Sequence, residues 1–128
     1  MRNKKILVDS DVLIWFLRGK YEVVNSLTEM LPVNHLFISP ISVAEIYAGA
    51  RKKELKTIDE FISLFEVFDV NKDLAITAGQ YLSKFSKSHS VEIADAIIGA
   101  TAAKLDLLLW TFNIKHYPML KKKQFFDI

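Results

Sequence analysis

Residues 6–17 read Ile6-Leu7-Val8-Asp9-Ser10-Asp11-Val12-Leu13-Ile14-Trp15-Phe16-Leu17: an apolar run, two acids one residue apart, then a second apolar run. Ile6, Leu7 and Val8 show no polar alternation, which is the pattern of a strand buried on both faces. Asp9 then falls at the carboxyl end of that strand. Ser10 and Asp11 are good N-caps for the helix that the second apolar run predicts. In open parallel sheets, ligands bind outside the carboxyl ends of the strands. An acid at that place, with a second a turn away, predicts a site that later acids of the chain fold back to meet.

The remaining sequence agrees with this frame. The chain has 128 residues, 51% hydrophobic and 25% charged. That is enough for one globular domain spanning 1–128, and the expected class is α/β. The apolar share is high for a monomer and points to a partner surface. There is no cysteine, so disulfides and thiolate metal sites are excluded, and the expected compartment is the cytoplasm. The opening residues are basic, but Asp9 and Asp11 interrupt the apolar run after them. The start is expected to be neither a signal peptide nor a membrane span. A net charge of +2 does not by itself announce nucleic-acid binding.

Strands are expected at residues 5–9, 35–38, 65–70 and 107–110, with a final short one near 125–127. Helices are expected at 11–18, 21–31, 40–53, from a capping box at Thr57-Ile58-Asp59-Glu60 onward, and at 72–87 behind an Asn71 cap. A polar break at 86–90 precedes a last helix starting at Ser90 or Val91. Ser39 with Pro40 at the first helical position is a strong start signal. Helices alternating with strands imply right-handed crossovers and a parallel sheet of four to five strands in a three-layer α/β/α sandwich.

Two acids lack local cations. At helical spacing Glu45 meets Ile41, Ser42, Ala48 and Gly49, and Asp95 meets Val91, Glu92, Ile98 and Gly99. Both stand early in apolar helices, where an unpaired buried carboxylate is costly. The plain alternatives are a Ser42–Glu45 capping box, a first-turn dipole partner for Asp95, and an ordinary N-cap in Asp11. Several carboxylates facing one point repel one another, and a divalent cation relieves that. Oxygen-only ligands suit Mg²⁺ or Mn²⁺ rather than zinc. Thr111 and Asn113, after the fourth strand, are candidates to line the same crevice or to form a plain turn. His35, His89 and His116 show no metal-ligand spacing and read as surface residues.

Four stretches together resemble the PIN-domain ribonucleases, specifically the VapC-type toxins of toxin–antitoxin pairs. They are residues 8–14, then Ile41-Ser42-Val43-Ala44-Glu45-Ile46-Tyr47-Ala48-Gly49-Ala50-Arg51, then Ile93-Ala94-Asp95-Ala96-Ile97-Ile98-Gly99-Ala100-Thr101-Ala102, then Leu109-Trp110-Thr111-Phe112-Asn113. Their order and spacing fit the family over the whole chain. The resemblance implies catalytic roles for Asp9, Glu45 and Asp95, with Asp9 and Asp95 as ligands of Mg²⁺ (or Mn²⁺). Asn113 stands where the family often has a fourth acid, so it brings an amide oxygen but no charge. Ser10, Asp11, Thr111 and Asn113 are implied as groups that support the ligands.

The implied reaction is hydrolysis of RNA phosphodiesters by a metal-activated water, as the toxin of a type II pair. Its implied partners are the RNA substrate, a cognate antitoxin seated in a groove over the acids, and a second copy in a homodimer. DNA is met only through the antitoxin, and no membrane is involved. Arg18, Arg51, Lys52, Lys53, Lys84, Lys87 and residues 121–123 are available to hold an RNA backbone. Two rival readings are a PIN-like module that binds RNA or protein without catalysis, to which Asn113 lends weight, and a haloacid-dehalogenase-like phosphatase opened by Asp9-x-Asp11. The latter lacks a late acidic pair and gives Glu45 no task.

Clustered acids predict that in EDTA Asp9→Asn raises the melting temperature, and that Mg²⁺ stabilises the wild type more than this variant. Thermal melts with and without Mg²⁺ check both expectations.

Overall fold

The computed structural model describes residues 3–127. Its centre is β1 (Lys5–Val8), flanked in the order β3-β2-β1-β4 by β2 (His35–Ile38), β3 (Glu66–Val67) and β4 (Leu108–Trp110), all parallel. In register, Leu7 stands beside Phe37 on one side and Leu109 on the other. Ile6, Leu7 and Val8 are fully buried, because side chains on both faces of the strand meet helices. Ile6, Val8, Leu36, Ile38 and Trp110 pack on one face, with Leu13, Leu27 and Phe61. Leu7, Phe37 and Leu109 pack on the other, with Ile98, Ala102 and Tyr117.

Six helices cover the sheet: α1 (Ser10–Leu17), α2 (Tyr21–Met30), α3 (Pro40–Ala48), α4 (Leu55–Ile62), α5 (Lys72–His89) and α6 (Ile93–Lys104). This is the expected α/β/α architecture. The chain steps outward from β1 to β2 to β3, then returns through α5 and α6 to place β4 on the other side of β1. The strand order therefore reverses between β1 and β4, and the crevice at their carboxyl ends is where such sheets bind ligands.

Ser39 and Asn71 cap as their sequence suggests. Ser39 Oγ accepts from Ile41 N–H at 3.2 Å with Pro40 opening α3, and Asn71 Oδ1 accepts from Leu74 N–H at 2.9 Å. Other boundaries differ from expectation. The cap of α1 is Asp9, whose carboxylate accepts from Ser10 N–H at 2.7 Å, and neither Ser10 nor Asp11 fills that role. The helix expected over 40–53 stops at Ala48, with Gly49 at its end. A short 3₁₀ turn, Lys52–Glu54, follows, in which Glu54 accepts from Arg51 N–H at 2.8 Å. That bond redirects the chain, so α4 begins at Leu55 and Thr57 lies inside it.

The strand expected over 65–70 pairs only at Glu66–Val67. The polar break at 86–90 continues α5 to His89, which packs edge-on against Phe85 with ring centroids 5.6 Å apart. Ser90 ends α5 in the left-handed region at φ 54°, and α6 begins later than expected, at Ile93. The fifth strand reduces to one bridge between Phe125 and Leu109, because the 3₁₀ turn Lys122–Gln124 takes up the chain just before it.

Leu7 is fully buried at the sheet's centre, in the apolar layer with Phe37, Ile98 and Leu109. Leu7→Ala is expected to cost about 2–5 kcal/mol, read as a lower urea midpoint with little change in slope.

Candidate active site

The carboxyl ends of β1 and β4 bring together residues more than a hundred positions apart. Asp9 leaves β1 and is 7% exposed. Its Oδ1 accepts from Ser10 N–H, and its Oδ2 accepts from the Thr111 hydroxyl at 2.8 Å and the Tyr117 hydroxyl at 2.7 Å. Three donors hold one carboxylate, each from a different part of the chain: the first turn of α1, the end of β4, and the segment after it. Carboxylate acceptors make bonds about twice as strong as neutral ones.

Ser10 joins the site to α3. Its oxygen lies 2.7 Å from Glu45 Oε1 and 2.8 Å from Ser42 Oγ. Each hydroxyl has one proton, so Ser10 donates to Glu45 and Ser42 donates to Ser10. The proposed Ser42–Glu45 capping box is therefore absent: Ser39 is the cap of α3, and Ser42 is fully buried on the path to Ser10. Glu45 itself is exposed, not buried as its apolar helix suggested.

Asp11 faces the loop after β4. Its Oδ2 accepts from Phe112 N–H at 3.0 Å and from the Asn113 amide at 3.3 Å, and its Oδ1 accepts from Val12 N–H at 2.8 Å. Asn113 N–H donates to Thr111 Oγ1 at 3.0 Å. Burial, then the charge of Asp9, push the Asp11 carboxyl up to about 6, against the pull of these amide donors. Asp95, half-buried at the start of α6, accepts from Glu92 N–H at 3.1 Å. The first-turn alternative is thus part of its role. Burial raises its pKa; the Glu92 amide and His116 oppose the rise, while the charges of Asp9 and Glu92 add to it.

Asp9, Asp11, Glu45, Asp95 and Asn113 line one cavity of about 220 Å³. Among the described residues, no lysine or arginine forms an ion pair with any of these acids. The donors are all oxygen, which fits a hard divalent cation. Among the described residues, no three acidic or histidine side chains close into a preformed cage. An open, oxygen-lined cavity agrees with Mg²⁺, which keeps several waters and relies on one or two carboxylates plus substrate phosphates.

Two residues here have no local signal in the sequence. Tyr117 is 1% exposed, and burial together with the Asp9 charge drives its phenol far above its ordinary range, so it remains a donor. His116 is not a plain surface residue: its Nδ1 lies 3.8 Å from Asp95 Oδ2. A buried tyrosine that needs a hydroxyl partner was the one available clue. Of the basic residues, Arg18 and Lys53 line a larger groove of about 470 Å³ that shares Glu45 with the acid cavity. Arg51 pairs with Glu54 at 3.5 Å, Lys84 lies over the Phe85 ring, and Lys122 lines a separate cavity beyond Tyr117. Among the described residues, no helix is long and apolar enough to cross a membrane.

Residues 6–119 match the family described as PIN domain. The chain is 36% identical over 118 residues to Ribonuclease VapC10 of Mycobacterium tuberculosis, covering 91% of this chain and 89% of that protein. Ribonuclease VapC19 of the same organism is 29% identical over 120 residues, covering 92% and 96%. Among solved structures, a chain of a toxin–antitoxin complex from Klebsiella pneumoniae is similar with a TM-score of 0.73 at 28% identity, covering 88% and 90%.

The bonds to Asp9 reverse one expectation. Its charge is held by three donors, so in EDTA Asp9→Asn is expected to lower the melting temperature, not raise it. Tyr117→Phe removes one of those donors and is expected to cost about 1–3 kcal/mol, measured by urea unfolding beside Thr111→Val.

Proposed function

The chain belongs to the PIN-domain family, and on that premise we propose that it is a metal-dependent endoribonuclease, the toxin of a type II toxin–antitoxin pair. The observation that carries this reading is the cavity lined by Asp9, Asp11, Glu45 and Asp95, to which, among the described residues, no lysine or arginine is paired. Stability alone gives no reason to gather four carboxylates at one strand end. The names of the similar proteins, ribonucleases and a toxin–antitoxin complex, support the same class.

Asp9 and Asp95 are the residues that would hold Mg²⁺ or Mn²⁺. Such an ion, when bound, lowers the pKa of a water and offsets charge on the phosphoryl oxygens of an in-line displacement. Asp9 is suited to its part because Thr111, Tyr117 and the Ser10 amide fix its plane: the two hydroxyls occupy Oδ2, while Oδ1 accepts only the amide and keeps a lone pair for a cation. Glu45 stands on the solvent side of Asp9, steadied by the Ser10 hydroxyl, and orients the attacking water. Asp11 locks the loop after β4 rather than facing substrate. His116, with Nδ1 3.8 Å from Asp95 Oδ2, steadies Asp95.

Arg18 and Lys53, in the groove that shares Glu45, contact phosphates of the RNA. An antitoxin segment seated in the same groove excludes RNA by occupying it. A second copy would cover exposed Leu64, Val67 and Val70 near the β3 edge of the sheet. The expected compartment is the cytoplasm, where the RNA is found.

The test is incubation of partner-free protein with total RNA in Mg²⁺, in Mn²⁺ and in EDTA, beside Asp95→Asn. Discrete fragments are expected only with metal. Asp95→Asn is expected to lose at least about 10²-fold in rate, the scale of several kcal/mol of charge stabilisation. Mg²⁺ at a hundred times its Kd is expected to stabilise the wild type by about 2.7 kcal/mol, and Asp9→Asn by much less. Folded protein that cuts nothing in any condition, while still binding RNA, would support the non-catalytic module that Asn113 suggests.

A further inference from the structure

Phe112 is the only exposed phenylalanine of the nine, with 47% of its surface in water. The others lie in the core or pack against it. Phe112 directly follows Thr111, which donates to Asp9, and precedes Asn113, which lines the acid cavity.

Its position is held firmly. Phe112 N–H donates to Asp11 Oδ2 at 3.0 Å, and the Asn113 amide reaches the same oxygen at 3.3 Å. Asn113 N–H donates to Thr111 Oγ1 at 3.0 Å. Two bonds therefore tie the turn that carries the ring to Asp11, and the third closes the turn on Thr111. The Phe112 backbone is thereby fixed beside Asp11, and the residue presents an exposed aromatic side chain there. Lys115, three residues on, is exposed and available to a phosphate.

We propose that Phe112 is a stacking platform for the base of the nucleotide adjoining the phosphodiester that is cut. This inference rests on the ribonuclease reading above and adds to it a residue that positions the substrate. Every base has a π face, but only an unpaired base can offer it to a side chain. A paired duplex keeps its bases stacked on one another. At the position beside the cut, this contact requires an unpaired nucleotide. Stacking tolerates any base, so Phe112 sets the demand for an unpaired nucleotide while contacts elsewhere choose its identity.

The test has two arms. Wild type, Phe112→Ala, Phe112→Leu and Phe112→Trp are compared for kcat and KM on a single-stranded oligoribonucleotide that contains a mapped cut. The same oligonucleotide is then made abasic at each position around the cut, one at a time. Phe112→Ala and Phe112→Leu are expected to raise KM about tenfold with kcat little changed, and Phe112→Trp to retain wild-type KM. One abasic position next to the cut is expected to weaken the wild type by a similar factor and to add nothing to Phe112→Ala. Wild-type KM in both Ala and Leu variants overturns the inference while leaving the ribonuclease reading intact. So does a loss in Phe112→Ala that adds in full to every abasic loss. RNA kinetics unchanged but oligomeric mass altered would assign Phe112 to a protein contact instead. Wild-type protein that cuts no RNA overturns both readings.

Discussion

The arrangement depends on one carboxylate. Asp9 ends the central strand, caps the helix that follows, and accepts two hydroxyls from the far end of the chain. Those bonds couple three links at once. They end β1, they start α1, and they draw β4 and the segment behind it against the same strand end. Few single residues could substitute. Asparagine would turn one oxygen into a donor facing two hydroxyls, and glutamate would carry the carboxyl a methylene too far for the cap.

Around that point the fold accepts electrostatic strain. Asp11 and Asp95 both titrate upward, chiefly through burial, with Asp9 adding its charge. The compensation comes chiefly from dipoles, with a charged contribution from His116 beside Asp95: backbone amides of Phe112 and Glu92, the Asn113 side chain, and two hydroxyls on Asp9. Neutral donors orient carboxylates without cancelling their charge. A lysine or arginine in the same place would be better for stability and would remove the attraction for a cation. Sites that trade stability in this way are the usual places where function resides.

The topology explains why the strain gathers here. β3 to β4 is the one connection that crosses the sheet, and it places β4 beside β1 at the switch point. Residues following these two strands then share one crevice. Helices α3 and α6 bring Glu45 and Asp95 to its rim. The larger groove beside it shares Glu45, so anything bound there touches the acid cluster as well.

Much of this is determined by the sequence alone. An unbroken Ile6-Leu7-Val8 run specifies a strand buried on both faces, Ser39-Pro40 and Asn71 start their helices by local bonds, and alternating elements imply a parallel sheet. The meeting of Asp9, Glu45 and Asp95 was legible too, because acids without cations at helical spacing stand out in apolar segments. Tertiary structure alone decided the rest. Which of Asp9, Ser10 and Asp11 caps α1, that Ser10 reaches Glu45, and that Tyr117 and His116 join the site all depend on partners about 20 to more than 100 residues away. The helix end before Arg51–Glu54 is a different case: the bond there spans three residues and is local. Periodicity and capping report interactions within a turn or two. They carry no information about which distant hydroxyl a folded chain will bring to a buried carboxylate.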